Sequence, residues 1–308
     1  NNASVSYYND ETGEVSQDIY GAVNANATLG DLAQDMKVFG SKLYISMNGS
    51  NKVEILDART FKKISSVTIT SPRWLASANG KVFVSSYDDH VYVLDGNTDQ
   101  ILKQIKVGRD PEQLAVSGNK LYVANSGGLD YPANYDNTVS VIDLTSLTEV
   151  KKITVAINPN QVLADQYGDV YVITVGDYSD IKPDLYRINT TTDEAHSLNV
   201  RATGMVINED VAYVYKAAFS NDDYSYDYRF STLNVKTETP GPSFISDGTE
   251  TSIQHPYGIN IEPQSGDIYL ADAKDQQGSG VVYRYDKNGK RKASFPAGIL
   301  PSAFYFIK

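Results

Sequence analysis

The chain has 308 residues, no cysteine and a formal net charge of −11. The missing cysteines exclude disulfides, thiolate nucleophiles and cysteine-ligated metals. The negative charge disfavours nucleic acid and anionic membrane surfaces as partners, and no run of about 18 apolar residues is present to span a bilayer as a helix.

The polar start Asn1-Asn2-Ala3-Ser4 is read as a trimmed, mature N-terminus, expected of an extracytoplasmic protein. Residues 4–9 and 14–23 predict the third and fourth strands of a four-stranded unit, turned by Asp10-Glu11-Thr12-Gly13. From there one phrase repeats. A second-strand pattern recurs as LYIS (43–46), VFVS (82–85), LYVA (121–124), VYVI (170–173), AYVY (212–215) and IYLA (268–271). A third-strand pattern recurs as VEILD, VYVLD, VSVID, LYRIN, FSTLN and VYRYD, ending at Asp57, Asp95, Asp143, Asn189, Asn234 and Asp286. Apolar positions alternate with period two, as in half-buried strands. Four strands per repeat of about 40 to 50 residues predict a β-propeller.

The full blades are expected at 34–69, 73–107, 113–155, 161–200, 204–245 and 258–295. Pro240-Gly241-Pro242 interrupts the fourth strand of the fifth of these, tolerable only at an outer edge. No helix is expected. Residues 302–308 predict a first strand that pairs with the N-terminal strands and closes a ring, hiding open edges. The expectation is an all-β, seven-bladed β-propeller of four-stranded antiparallel blades, with residues 1–308 as one domain.

Loop lengths are asymmetric. First-to-second and third-to-fourth turns are short. Second-to-third loops (125–137, 174–184, 216–229, 272–280) and blade-to-blade loops (24–33, 246–257) are long and are predicted to share one face. Long loops are where binding residues concentrate. The candidate ligand-binding residues on this face are Arg73, Trp74, Tyr87, Arg109, Tyr131, Tyr135, Tyr178, Arg201, Tyr226, Tyr228, His255 and Tyr257. Tyrosine and tryptophan offer flat apolar area and a polar handle at low entropic cost.

No metal site is expected. Asp177, Asp180 and the run Asn221-Asp222-Asp223 with Asp227 do not fit the twelve-residue calcium loop. The histidines, His90, His196 and His255, are not expected to converge. There is no nucleophile elbow, phosphate loop or zinc-protease helix, so no catalytic residue is assigned. A lyase or hydrolase acting at His255 is the enzymatic alternative.

The phrases Leu121-Tyr122-Val123-Ala124-Asn125 and Thr138-Val139-Ser140-Val141-Ile142-Asp143 resemble the YVTN-type, surface-layer-like seven-bladed propeller repeats. The acidic character and Tyr-rich loops are similar to those of the BtuG-like surface lipoproteins. That resemblance implies a monomeric cell-surface protein of the outer membrane, without a cofactor. It implies capture of cobalamin (vitamin B12) as ligand and its delivery to a TonB-dependent outer-membrane transporter. Carbohydrate or peptide capture by the same face is the alternative.

Overall fold

The computed structural model describes residues 2–220 and 225–307, with side chains outside 218–226. A short hairpin, β1 (Tyr7–Tyr8) and β2 (Val15–Ser16), leads into a helix, α1 (Ile19–Val23). Six sheets of four antiparallel strands follow, the blades of an all-β propeller. The first holds β3 (Ala33–Phe39), β4 (Lys42–Met47), β5 (Lys52–Asp57) and β6 (Lys63–Thr68). The second holds β7 (Pro72–Ala78), β8 (Lys81–Ser86), β9 (His90–Asp95) and β10 (Ile101–Lys106). The third holds β11 (Pro111–Ser117), β12 (Lys120–Asn125), β13 (Thr138–Asp143) and β14 (Thr148–Thr154). The fourth holds β15 (Pro159–Ala164), β16 (Val170–Thr174), β17 (Asp184–Asn189) and β18 (Glu194–Ser197). The fifth holds β19 (Gly204–Asn208), β20 (Val211–Ser220), β21 (Ser225–Asn234) and β22 (Thr239–Pro240). The sixth holds β23 (Pro256–Ile261), β24 (Ile268–Asp272), β25 (Val281–Tyr285) and β26 (Arg291–Pro296). The chain forms two compact units, one of Gln34–Ile55 and Ser65–Thr203, the other of Asn1–Ala33, Leu56–Ile64 and Gly204–Lys308.

Second and third strands are buried on both faces rather than one. In β4, Leu43 through Met47 are all buried, whereas β6 is largely exposed. The cause is face-to-face packing of successive blades. Tyr44, Val53 and Ile55 meet Leu75, Val82 and Val84 of the next blade. Phe83, Val91 and Val93 meet Leu114, Leu121 and Val123. Tyr122, Ala124 and Val139 meet Val162, Val170 and Val172. Each strand therefore carries an apolar side chain at successive positions, with small serines among them.

Polar staples fix how blades register. The Tyr44 hydroxyl, in a fully buried residue, donates to Asp99 Oδ1 at 2.6 Å, and Lys42 Nζ reaches the same oxygen at 2.8 Å. Asp99 belongs to the next blade's last turn and has φ of 62°. Lys120 repeats the device two blades on, reaching Asp193. Removing the Asp99 carboxylate leaves a buried phenol on a weaker acceptor, the Gly96 carbonyl at 3.3 Å. Asp99→Ala is expected to lower unfolding free energy by about 2 kcal/mol. Asp99→Asn, which tolerates the left-handed backbone and keeps an acceptor, is expected to lose less than half of that. Urea midpoints of the two variants check this; equal losses would assign the effect to charge alone.

The chain ends depart from expectation. Residues 14–23 do not form one strand: Val15–Ser16 is a two-residue strand, and Asp18 then caps a helix through the Gly21 N–H at 3.0 Å. The segment 302–307 forms no ladder with residues 4–23 among the described residues. It lies instead along the sixth sheet. Asn260 Nδ2 donates to the Phe304 carbonyl at 3.2 Å, and Phe304 and Phe306 pack on Tyr269. The β1–β2 hairpin rests on the same core, with Tyr8 stacked on Phe295 at 3.9 Å and Asp10 paired with Arg284. A proline, Pro301, opens this last segment and a bound carbonyl replaces the ladder. Among the described residues six four-stranded blades are present, against the seven expected.

Candidate functional site

The site begins with a repeated local device. Pro72, Pro111 and Pro159 each open the first strand of a blade. Each follows a residue with a left-handed backbone: Ser71 (φ 39°), Asp110 (φ 45°) and Asn158 (φ 58°). The register then slips between Pro72 and Leu75, between Pro111 and Leu114, and between Pro159 and Gln161. Proline lacks an N–H and suits the start of an edge strand, and the bulge that follows re-aims the next side chains. Buried Ser46 and Ser85 accept from the amides of Asp35 and Trp74, both at 3.0 Å.

This device brings Arg73, Trp74 and Tyr87 together around a residue the sequence reading did not single out, Glu112. Arg73 Nε donates to Glu112 Oε2 at 3.0 Å, and its NH2 reaches Oε1 at 3.0 Å and Oε2 at 2.9 Å. Trp74 Nε1 donates to Oε2 at 3.2 Å, and the Tyr87 hydroxyl donates to Oε1. The remaining Arg73 NH1 reaches Gln34 Oε1 at 2.6 Å, and the guanidinium lies over the Tyr87 ring at 4.4 Å. Glu112 is buried and Arg73 nearly so. Burial pushes the Glu112 carboxyl up, with the Arg73 charge the largest opposing influence. Burial and the Glu112 charge push the Tyr87 phenol up, so it stays a donor. Beside this group Asp35 accepts from Leu75 N at 2.9 Å. Burial pushes its carboxyl up to about 7 against that hydrogen bond.

A second group lies on two long loops of the same unit. Tyr131 meets Tyr135 edge-on at 6.4 Å and Tyr178 at 6.1 Å. Tyr131 and Tyr178 are 63% and 64% exposed, enough to be presented rather than packed. Two glycines make the loops possible. A Cβ on Gly127 would fall 2.3 Å from Asp136 N, and one on Gly176 would fall 1.9 Å from the Ile181 carbonyl oxygen; both have positive φ. Buried Asn158 ties the loops together, donating its backbone N–H to the Asp136 carbonyl at 2.8 Å and its Nδ2 to the Gly176 carbonyl at 3.1 Å. Arg109 pairs with Asp130 and the Asn134 carbonyl, while Arg201 reaches the Pro183 carbonyl at 3.3 Å. The two arginines therefore brace the loops.

The other unit holds a third group. Tyr228 and His255 rings meet at 6.2 Å, and Tyr257 lies 6.3 Å from His255. Asp272, fully buried, accepts from the backbone of Gln254 and His255 and from Lys274 Nζ. Burial pushes the His255 imidazole down, keeping it neutral at neutral pH. Tyr226 lies outside the residues whose side chains are described, and Asp222 and Asp223 lie outside the described residues altogether. Among the described residues no three metal-ligating side chains gather, and no helix is long and apolar enough to cross a membrane.

A family model described as "Domain of unknown function (DUF5074)" matches residues 1–306. The chain belongs to the DUF5074 family. No curated protein sequence matches it. Among solved structures, this DUF5074 chain is similar to hydrazine synthase of Kuenenia stuttgartiensis, with a TM-score of 0.72, 19% identity and 88% of each chain covered. It is also similar to a quinoprotein alcohol dehydrogenase-like protein of Bacteroides thetaiotaomicron VPI-5482, with a TM-score of 0.67 and 18% identity over 96% of this chain and 74% of the other. The WD40 domain of Neurospora crassa Pan2 follows, at TM-score 0.62 and 12% identity over 88% and 80%. At such identities the likeness establishes the propeller fold alone.

Glu112, Asp35, Gln34 and Asn158 are the residues that reading the DUF5074 sequence missed. A signal for the first existed. Gln34, Arg73 and Glu112 are spaced by 39 residues at each step, so they occupy one level of three successive first strands.

Proposed function

We propose that this DUF5074 chain is a non-catalytic binding propeller that captures cobalamin at the cell surface and passes it to an outer-membrane transporter. The observation that carries this reading is the joining of Tyr131, Tyr135 and Tyr178 by loops of two neighbouring blades into one exposed aromatic surface. Flat aromatic faces suit a corrin ring, and tyrosine hydroxyls suit its amide rim. In this reading His255, beside Tyr228 and Tyr257, serves binding and not catalysis. The β1–β2 hairpin and the C-terminal segment count in this reading as an incomplete seventh blade.

Calorimetric titration with cyanocobalamin tests it. Saturable one-to-one binding is expected, and Tyr131→Ala and Tyr178→Ala are each expected to weaken it by about 1–3 kcal/mol. Absence of both heat and a shift in the visible spectrum would discard cobalamin. Sugar capture, favoured by the same exposed rings, would then be read on a glycan array.

A further inference from the structure

We propose that Tyr131, Tyr135 and Tyr178 form an aromatic cage for a quaternary ammonium group. The rings do not stack. Tyr131 is inclined by 67° to Tyr135 and by 68° to Tyr178. In such an edge-to-face pair each ring keeps at least one face that the other does not cover, Tyr131 and Tyr178 are well exposed, and ring faces carry the negative end of the quadrupole. The Tyr135 hydroxyl is shielded from solvent and has no hydrogen-bond partner. Two further apolar residues, Leu129 and Ile181, are exposed on the same two loops.

The charge around the rings has the sign a cation requires. Residues 126–137 contain Asp130 and Asp136 and no basic residue. Residues 174–184 contain Asp177, Asp180 and Asp184 against one lysine, Lys182. Lys182 is turned to the Ser179 carbonyl, Arg109 is neutralised by Asp130, and Arg201 is held by Pro183. Asp177 Oδ1 accepts the amides of Ser179 and Ile181, both at 2.9 Å, which hold its carboxyl below the usual range. It therefore stays charged beside Tyr178, and its field acts on Tyr135.

The class of cation follows from hydration. Tyr131 and Tyr178 are well exposed, so the site cannot replace the water shell of a primary ammonium or a metal ion. A quaternary ammonium is weakly hydrated and loses little on moving from water to ring faces. The group is supplied by free choline or by the phosphocholine headgroup of a lipid. Nothing in this inference needs cobalamin to be the ligand. Cobalamin binding without choline binding removes the cage alone, and the reverse removes cobalamin alone.

The test uses the full chain and four probes. Choline is titrated by calorimetry against its neutral isostere, 3,3-dimethylbutan-1-ol. Phosphatidylcholine vesicles are compared with phosphatidylglycerol vesicles by co-sedimentation. Saturable choline binding, with the isostere at least about tenfold weaker, supports a cage for the free compound. Selective retention on phosphatidylcholine supports a cage for the headgroup. Tyr131→Leu and Tyr178→Leu are expected to lower the affinity about tenfold each. Asp177→Asn keeps the loop acceptor and lowers affinity in a salt-dependent way. Tyr305→Leu, at an exposed tyrosine that is not part of these loops, leaves it unchanged. Circular dichroism confirms that the variants fold. Equal binding of choline and its isostere, or no response to either choline or phosphatidylcholine, overturns the proposal.

Discussion

Replacing Arg73 by methionine is expected to cost the fold about 3–5 kcal/mol, the largest loss of any single exchange at the first-strand rim. The reason lies in what remains. Glu112 is only 3% exposed and would keep Tyr87 and Trp74 as donors but lose its counter-charge. An unpaired buried carboxylate costs far more than a missing surface ion pair. Glu112→Gln is expected to cost less, because Arg73 keeps Gln34 and the Tyr87 face. The double variant, Arg73→Met with Glu112→Gln, buries no charge and is expected to recover much of the single loss. A double-mutant cycle on urea midpoints reads this coupling. An Arg73→Met variant within about 1 kcal/mol of wild type would mean the pair is solvated.

The second large effect depends on pH. The Asp35 carboxyl titrates at about 7 in the folded protein and at 3.8 as a free side chain. Between those values the folded state holds a proton that the unfolded chain has released. The contribution of Asp35 to stability is therefore fully present below about pH 4 and falls as pH rises to about 7, by about 1.4 kcal/mol per unit and about 4 kcal/mol in all. Asp35→Asn keeps an acceptor for Leu75 N and cannot ionise. At pH 8 it is expected to be the more stable protein, and near pH 4 the two are expected to coincide. Urea unfolding across pH 4 to 8 checks the sign. Parallel profiles for the two proteins would place the Asp35 titration near its ordinary value.

The strands were legible because they are local. Leu121 through Asn125 and Thr138 through Asp143 carry their alternation in adjacent letters, and both fall where the ladder of β12 and β13 places them. Turn chemistry was legible too, since Asp143 accepts the amides of Thr145 and Ser146 two and three residues on. The long loops were found by length, and Tyr131, Tyr135 and Tyr178 do gather. The missed residues act at a distance. Glu112 reads as an ordinary acid after Asp110-Pro111, and only its partner 39 residues earlier gives it a role. Asn158 looks like a turn residue, yet its two sides hold different loops. The ends failed for another reason. Residues 302–307 have strand-like letters, but Phe304 and Phe306 are taken up by the aromatic core on Tyr269 rather than by a ladder. The helix Ile19–Val23 escaped notice because five residues carry too little periodicity, and its only marker is the Asp18 cap.

The proline-led bulge makes the rim suited to transplantation. Pro72, Pro111 and Pro159 set the backbone of their own blade with a left-handed residue before and a register slip after, whatever side chains come next. Rim tripeptides could therefore be exchanged between blades as cassettes, and a combinatorial library confined to them would sample new specificities on a constant frame. The coupling of Arg73 to Glu112 sets the grain of such a library. At that pair the smallest cassette is two matched residues drawn from two neighbouring blades.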